Sequence, residues 1–137
     1  MQCSAALRIR LAAGLAAGVL AGCGVSVGIG VGDDDGWDDI PPDVTITSPV
    51  TTIQAGAPIT FVANASDPET GIDDVRFYRV DGGVFTALGS DGSSPYDVTT
   101  TVPDDGRTTL VVFARARDNA GNTTDSTSIT IAVTPAP

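Results

Sequence analysis

From residue 43 to residue 134 the chain is written in short runs in which apolar and polar residues alternate, each run ending at Gly, Pro, Asp or Asn. A period of two sends successive side chains to opposite faces of an extended strand, so these runs can bury one face each and cannot bury a helical stripe. Short strands punctuated at even intervals predict an antiparallel sandwich. Residues 44–47 read as strand A, ended by Ser48 and Pro49, and residues 58–66 as strand B, with Ile59, Phe61, Ala63 and Ala65 on one face. Residues 72–80 read as C with Val75 and Phe77 inward, and after the turn Asp81, Gly82, Gly83 a short C′ covers 84–88. Residues 95–102 read as E with Tyr96 and Val98, residues 108–117 as F with Leu110, Val112, Ala114 and Ala116, and residues 123–133 as one strand G with Ile129, Ile131 and Val133.

Such a domain has to hold by packing alone. The only cysteines, Cys3 and Cys23, lie ahead of it, so it has no thiol for a disulfide, a zinc site or a nucleophile. A domain of about 90 residues buries somewhat over 60% of its unfolded surface, enough for one small core. The chain has no histidine and no lysine, and after residue 22 five arginines face seventeen acids. A surface of that sign repels phosphate backbones and excludes nucleic acid as a partner. Catalysis is excluded on similar grounds. Most of the acids fall in turns and spacer, where water keeps them ionised, and the hydroxyl-rich stretches 97–101 and 122–130 have no partnering base. No catalytic residue is expected.

Ahead of the strands, Arg8 and Arg10 precede an uncharged, alanine- and glycine-rich run over residues 11–20, followed by Leu20, Ala21, Gly22 and Cys23. This is the layout of a secretory signal with small residues at the cut. The small pair directly before a cysteine resembles the lipobox of bacterial lipoproteins. The resemblance implies that residues 1–22 are removed, that Cys23 receives a diacylglycerol, and that the acylated cysteine anchors the protein to the membrane. Two or three acyl chains anchor stably where one does not. The rival is a retained transmembrane helix, since residues 11–31 carry no charge and Gly14, Gly18 and Gly22 have helix-packing spacing. Against it stands glycine's poor helix propensity. Either way, the two arginines hold the amino end inside and leave the rest of the chain outside the cytoplasm. Gly24 is not the aspartate that, in lipoproteins, resembles an inner-membrane retention signal, so export to an outer membrane is permitted.

Residues 23–42 read as the lipidated cysteine and a tether. Residues 24–42 mix glycine with aspartates at 33, 34, 35, 38 and 39, and glycine entropy and charge repulsion both oppose packing. As a coil the tether reaches about 25 Å. The aspartate run lacks the alternating ligands and terminal glutamate of an EF-hand, and reads as a solvated spacer. Trp37 is the chain's only tryptophan and sits within it.

The domain, residues 43–137, carries a further resemblance. Val44, Thr45, Ile46, Thr47, Ser48 and Pro49, then Ala65, Ser66 and Asp67, then Val75 to Tyr78, Ser94 to Tyr96, and the stretch Ala116, Arg117, Asp118, Asn119, Ala120, Gly121, Asn122 occur in the order and spacing of bacterial immunoglobulin-like domains. The resemblance implies an Ig-like sandwich of seven strands, used as a spacer or binding module on surface proteins, adhesins and polysaccharide enzymes. Without the family, Asp118, Asn119 and Gly121 read as a tight hairpin between F and G, with Asp118 building the turn.

Two surfaces could carry function. If Leu110 and its alternates face the core, then Phe113, Arg115 and Arg117 of F point outward beside Arg76 and Tyr78 of C, forming an arginine and aromatic patch on neighbouring strands. Arginine stems covering a sheet face are the plainer account of the same residues. Antiparallel alternation also brings Asp67, Glu69, Asp73, Asp74, Asp91, Asp118 and Asn119 to one pole beside the acidic tether. Asp67, Glu69, Asp73, Asp74 and Asp118 are the candidate ligands for calcium, a hard cation served by convergent oxygens. Each acid capping its own turn is the alternative. The expected function is a membrane-anchored envelope lipoprotein that presents its Ig-like domain to a protein partner. A glycan-binding accessory, which needs an exposed aromatic platform, and a calcium-stabilised surface spacer are the alternatives.

Overall fold

The computed structural model describes residues 37–137; the expected leader (1–22), Cys23 and most of the tether lie outside the described residues. The described residues form nine strands and no helix: β1 (Asp43–Thr47), β2 (Thr52–Gln54), β3 (Pro58–Ser66), β4 (Ile72–Asp81), β5 (Val84–Asp91), β6 (Tyr96–Thr101), β7 (Thr109–Asp118), β8 (Thr123–Asp125) and β9 (Ile129–Thr134). A three-stranded sheet in the order β1-β3-β6 packs against a larger one in the order β2-β9-β7-β4-β5, with β8 also paired to β7. This is an all-β sandwich of the Ig-like kind.

Alternation decides the core. Phe61 from β3 and Phe77 and Val75 from β4 are wholly buried, as are Val112, Ala114 and Ala116 of β7. Ile59, Leu110, Tyr96, Ile131 and Val133 join them, and Val44, Ala65, Val98 and Ile129 pack at the margin. Each large apolar side chain so placed contributes about 2–3 kcal/mol. The inward faces are those expected from the alternation.

Strand G is two strands. β8 pairs with residues 115–117 of β7 and β9 with residues 109–112, and the ladder between them is carried by Ser126. Its backbone N–H donates to the Ala114 carbonyl at 2.8 Å, while its hydroxyl accepts the Ala114 N–H at 3.0 Å. A serine side chain that bonds nearby backbone lets the strand break without leaving a buried donor unpaired. The chain also has a strand that the sequence did not announce. After Pro49, which cannot donate to a ladder, it crosses to the larger sheet, and β2 runs parallel to β9 with Thr52 opposite Ala132.

β5 is longer than the stretch 84–88, reaching Asp91 through a bulge opposite Phe77 and Tyr78. Gly89 lies at that bulge, and a Cβ there would meet Val98 Cγ2 of the other sheet at 2.7 Å. Only glycine lets the two sheets approach this closely at their open side.

Candidate functional site

On the outer face of the larger sheet, β4 and β7 run antiparallel with Arg76 opposite Arg115 and Tyr78 opposite Phe113. The paired rings of Tyr78 and Phe113 stack at 5.2 Å with an interplanar angle of 16°. Phe85 of β5 meets Phe113 edge-on at 5.0 Å. The Arg115 guanidinium lies over both, 5.5 Å from the Tyr78 ring and 5.9 Å from the Phe113 ring, within the range of cation–π attraction.

The expected patch residues are therefore neighbours, but they are not equally open. Phe113 is only 4% exposed, covered by Tyr78, Phe85 and Arg115, so it is the floor of the patch and not its surface. Phe85, 54% exposed, is the aromatic ring that solvent meets, and the outward alternation of F alone does not point to it. The register does: the β4–β5 hairpin sets Phe85 opposite Val80, on the face that Tyr78 shares.

The arginines are each paired. Arg76 reaches Asp74 at 2.7 Å, Arg115 grips both oxygens of Asp125, and Arg117 lies 3.8 Å from Asp73. Exposed pairs of this kind are worth little to stability, but they hold the guanidinium groups in place. Asp74, Arg76, Tyr78, Arg115, Arg117 and Thr123 line a shallow hollow of about 200 Å³. That is smaller than the several hundred Å³ of a small-molecule site and suits one inserted side chain.

At the pole where β1 begins, Asp118 is 1% exposed. Its two carboxylate oxygens accept the backbone N–H and the side-chain amide of Asn122, both at 2.8 Å, and Gly121, with φ of 99°, donates to its carbonyl. Asp118 thus closes the β7–β8 hairpin as expected of a turn-builder. Burial on its own would push its carboxyl up, but the Asn122 amide and the backbone N–H groups of Asn122, Gly121 and Ala120 hold it below the ordinary carboxylate value. Asp67 turns the β3–β4 connection in the same way, its Oδ1 accepting the N–H groups of Glu69, Thr70 and Gly71. Carboxylate oxygens of Asp67, Asp118 and Asp38 lie within 4.8 Å of one another.

Asp38 belongs to the tether, where the sequence reads as solvated spacer. Its Oδ2 accepts from the Thr70 hydroxyl at 2.7 Å, its carbonyl accepts from Asn122 at 3.0 Å, and Pro42 beyond it is fully buried. The last residues before β1 are therefore docked on the pole, whereas Trp37 is 88% exposed. The remaining acids expected at this pole do other work. Asp73 and Asp74 face Arg117 and Arg76, Glu69 is exposed, and Asp91 accepts the N–H of Asp97 and of Ser93. Asn119 donates to the Thr70 carbonyl.

Residues 42–133 match the family described as Bacterial Ig domain. The chain belongs to that family. No curated protein matches it. Among solved structures this Ig domain is similar to the fibronectin(III)-like modules of CbhA from Clostridium thermocellum, with 23% identity, a TM-score of 0.54, and coverage of 69% of this chain and 46% of that one. Two structures of the SrpA adhesin from Streptococcus sanguinis align with 21% and 18% identity and TM-scores of 0.46 and 0.47. They cover 72% of this chain and 60% and 59% of theirs. The chain thus spans between about half and three fifths of these solved chains. At such identities the likeness to the CbhA modules speaks for the fold alone, and the adhesin scores carry nothing further. Ig-like domains are typically non-catalytic, and function on such a fold has to be read from its surfaces.

Proposed function

We propose that the protein is an envelope lipoprotein, acylated at Cys23 and held outside the cytoplasm, whose Ig domain binds a protein partner through the outer face of β4, β5 and β7. The observation that carries the reading is the patch itself: Phe113 lies covered by Tyr78, Phe85 and Arg115, and beside these rings Asp74, Arg76, Tyr78, Arg115, Arg117 and Thr123 line a hollow sized for one side chain. Tyrosine, phenylalanine and arginine are the residues enriched at the centres of protein interfaces. A glycan platform fits less well, because it needs a flat open ring and the most central ring here is covered.

The test replaces Tyr78 and Phe85 by serine, leaving the buried Phe113 alone, and measures capture of partners from an envelope fraction. Loss of a central aromatic anchor costs about 2 kcal/mol, roughly thirtyfold in affinity. Capture that falls by that order, while Thr45→Ser on the opposite sheet leaves it unchanged, supports the reading. Equal capture by all three proteins contradicts it. Mass spectrometry of the native product is expected to find Cys23 acylated at the amino end; retention of residues 1–22 without acyl mass removes the anchor from the account.

A further inference from the structure

We propose that Asp38, Asp67 and Asp118 together hold one calcium ion, and that the ion fastens the root of the tether to the pole of the sandwich. Three segments distant in sequence supply one carboxylate oxygen each, all within 4.8 Å of one another. Oxygens that share a calcium at 2.3–2.6 Å stand up to about 5 Å apart, so the spacing is that of ligands around a common centre.

Proximity of acids alone would not make a site, and a second observation points to a missing cation. Asp67 Oδ2 is sealed from solvent and has no hydrogen-bond partner, while Oδ1 of the same carboxylate takes three backbone N–H groups. A native fold rarely leaves a charged oxygen buried and unmatched, because the desolvation cost is not recovered. Asp118 is buried almost completely beside it. Among the described residues, none of the ion pairs reaches any of the three carboxylates; the arginines pair with Asp73, Asp74, Asp81, Asp105 and Asp125 instead. Three anions thus converge, with Asp118 and one oxygen of the half-buried Asp67 withdrawn from water and, among the described residues, no side-chain cation paired with them.

The donor set selects the ion. All donors are oxygen, and the chain has no histidine and no cysteine beyond residue 23, which disfavours zinc and the softer metals. Magnesium holds its waters and demands tight octahedral geometry, whereas calcium accepts carboxylates from separate loops and completes its shell with water or carbonyl oxygen. The consequence concerns orientation. Asp38 lies four residues before Pro42, and an ion shared with Asp67 and Asp118 would add a further fastening to the hydrogen bonds by which Thr70 and Asn122 already dock this stretch. The inference does not depend on how the sheet face is used.

Trp37 provides the probe. It is the only tryptophan, adjoins Asp38, and should sensitise luminescence from terbium, which occupies calcium sites. With the full chain in mild detergent, terbium emission on tryptophan excitation is expected, with calcium displacing it at about 0.1–1 mM, the range of extracellular modules. Calcium at ten times that concentration should raise Tm by several degrees over chelator. Asp38→Asn, which touches the tether and not the core, should weaken calcium binding at least tenfold and leave the Tm in chelator unchanged. Asp104→Asn, on a different connection, should alter neither. Protease cleavage at Trp37 to Ile40 should slow in calcium for the parent chain only. An unchanged melt with no terbium signal overturns the site, and full binding by Asp38→Asn overturns the fastening of the tether.

Discussion

Replacing Phe113 by alanine separates a covered aromatic layer from an open platform. The ring lies on the outer face of the sheet, where truncation ordinarily costs under about 1 kcal/mol. Here it is 4% exposed, with one ring stacked on it at 5.2 Å and another edge-on at 5.0 Å. Truncating a fully buried Phe costs about 3–5 kcal/mol, and each aromatic pair contributes about 0.5–1.5 kcal/mol of that kind of loss. Tyr78 and Phe85 are free on their solvent side and can settle into the space, so the lower part of the range applies, about 3 kcal/mol. For a domain of this size that is a drop in Tm of about 12–24 °C, or a urea midpoint lowered by about 2 M at a slope near 1.5 kcal/mol/M. Phe85→Ala, at a ring 54% exposed, should cost under about 1 kcal/mol. A Phe113→Ala midpoint within about 0.5 M of the parent would mean that the ring is solvated, and the layered patch would be refuted.

Ser126→Ala removes the hydroxyl that accepts the Ala114 N–H and should cost about 1–3 kcal/mol, with faster hydrogen exchange at that amide, whereas Ser128→Ala at an exposed site should stay within about 0.5 kcal/mol. Gly89→Ala drives a Cβ to 2.7 Å from Val98 Cγ2 and should destabilise by about 1–3 kcal/mol, read by urea unfolding; a neutral result would show that β5 and β6 can part freely. With no histidine, stability should be flat between about pH 5 and 8. It should then fall in acid: the Arg107 guanidinium holds the Asp105 carboxyl down to about 2, and Arg79, then Arg107, lower that of Asp81. Groups depressed on folding stabilise above their ordinary value of 3.8, and that contribution fades as pH drops toward about 2, so a chemical-denaturation series should show loss confined to that window.

How much of this was legible in the sequence follows from the range of each interaction. Alternation is local, and it placed Phe61, Phe77, Val112 and Ile131 inward correctly. β2 is three residues long, too short to display a period, and exists because β9 offers it an edge. The break in strand G depends on one hydroxyl replacing a carbonyl opposite Ala114, in a stretch where serine and threonine look alike. Alternation likewise assigned Phe113 to the outer face without knowing that a neighbouring hairpin would lay Phe85 against it. Asp38 was hidden for another reason. Its composition is that of a spacer, and only the meeting of Thr70 and Asn122 in space gives its carboxylate and carbonyl a place to dock.

The most direct test of the account is photo-crosslinking in living cells, with a photoreactive residue placed singly at Tyr78, at Phe85, or at Thr45 on the opposite sheet. The account predicts a discrete crosslinked protein adduct in the membrane fraction from the first two positions and none from Thr45. Adducts of equal yield from both sheets, or from Thr45 alone, would contradict the claim that the face of β4, β5 and β7 is what this Ig domain presents.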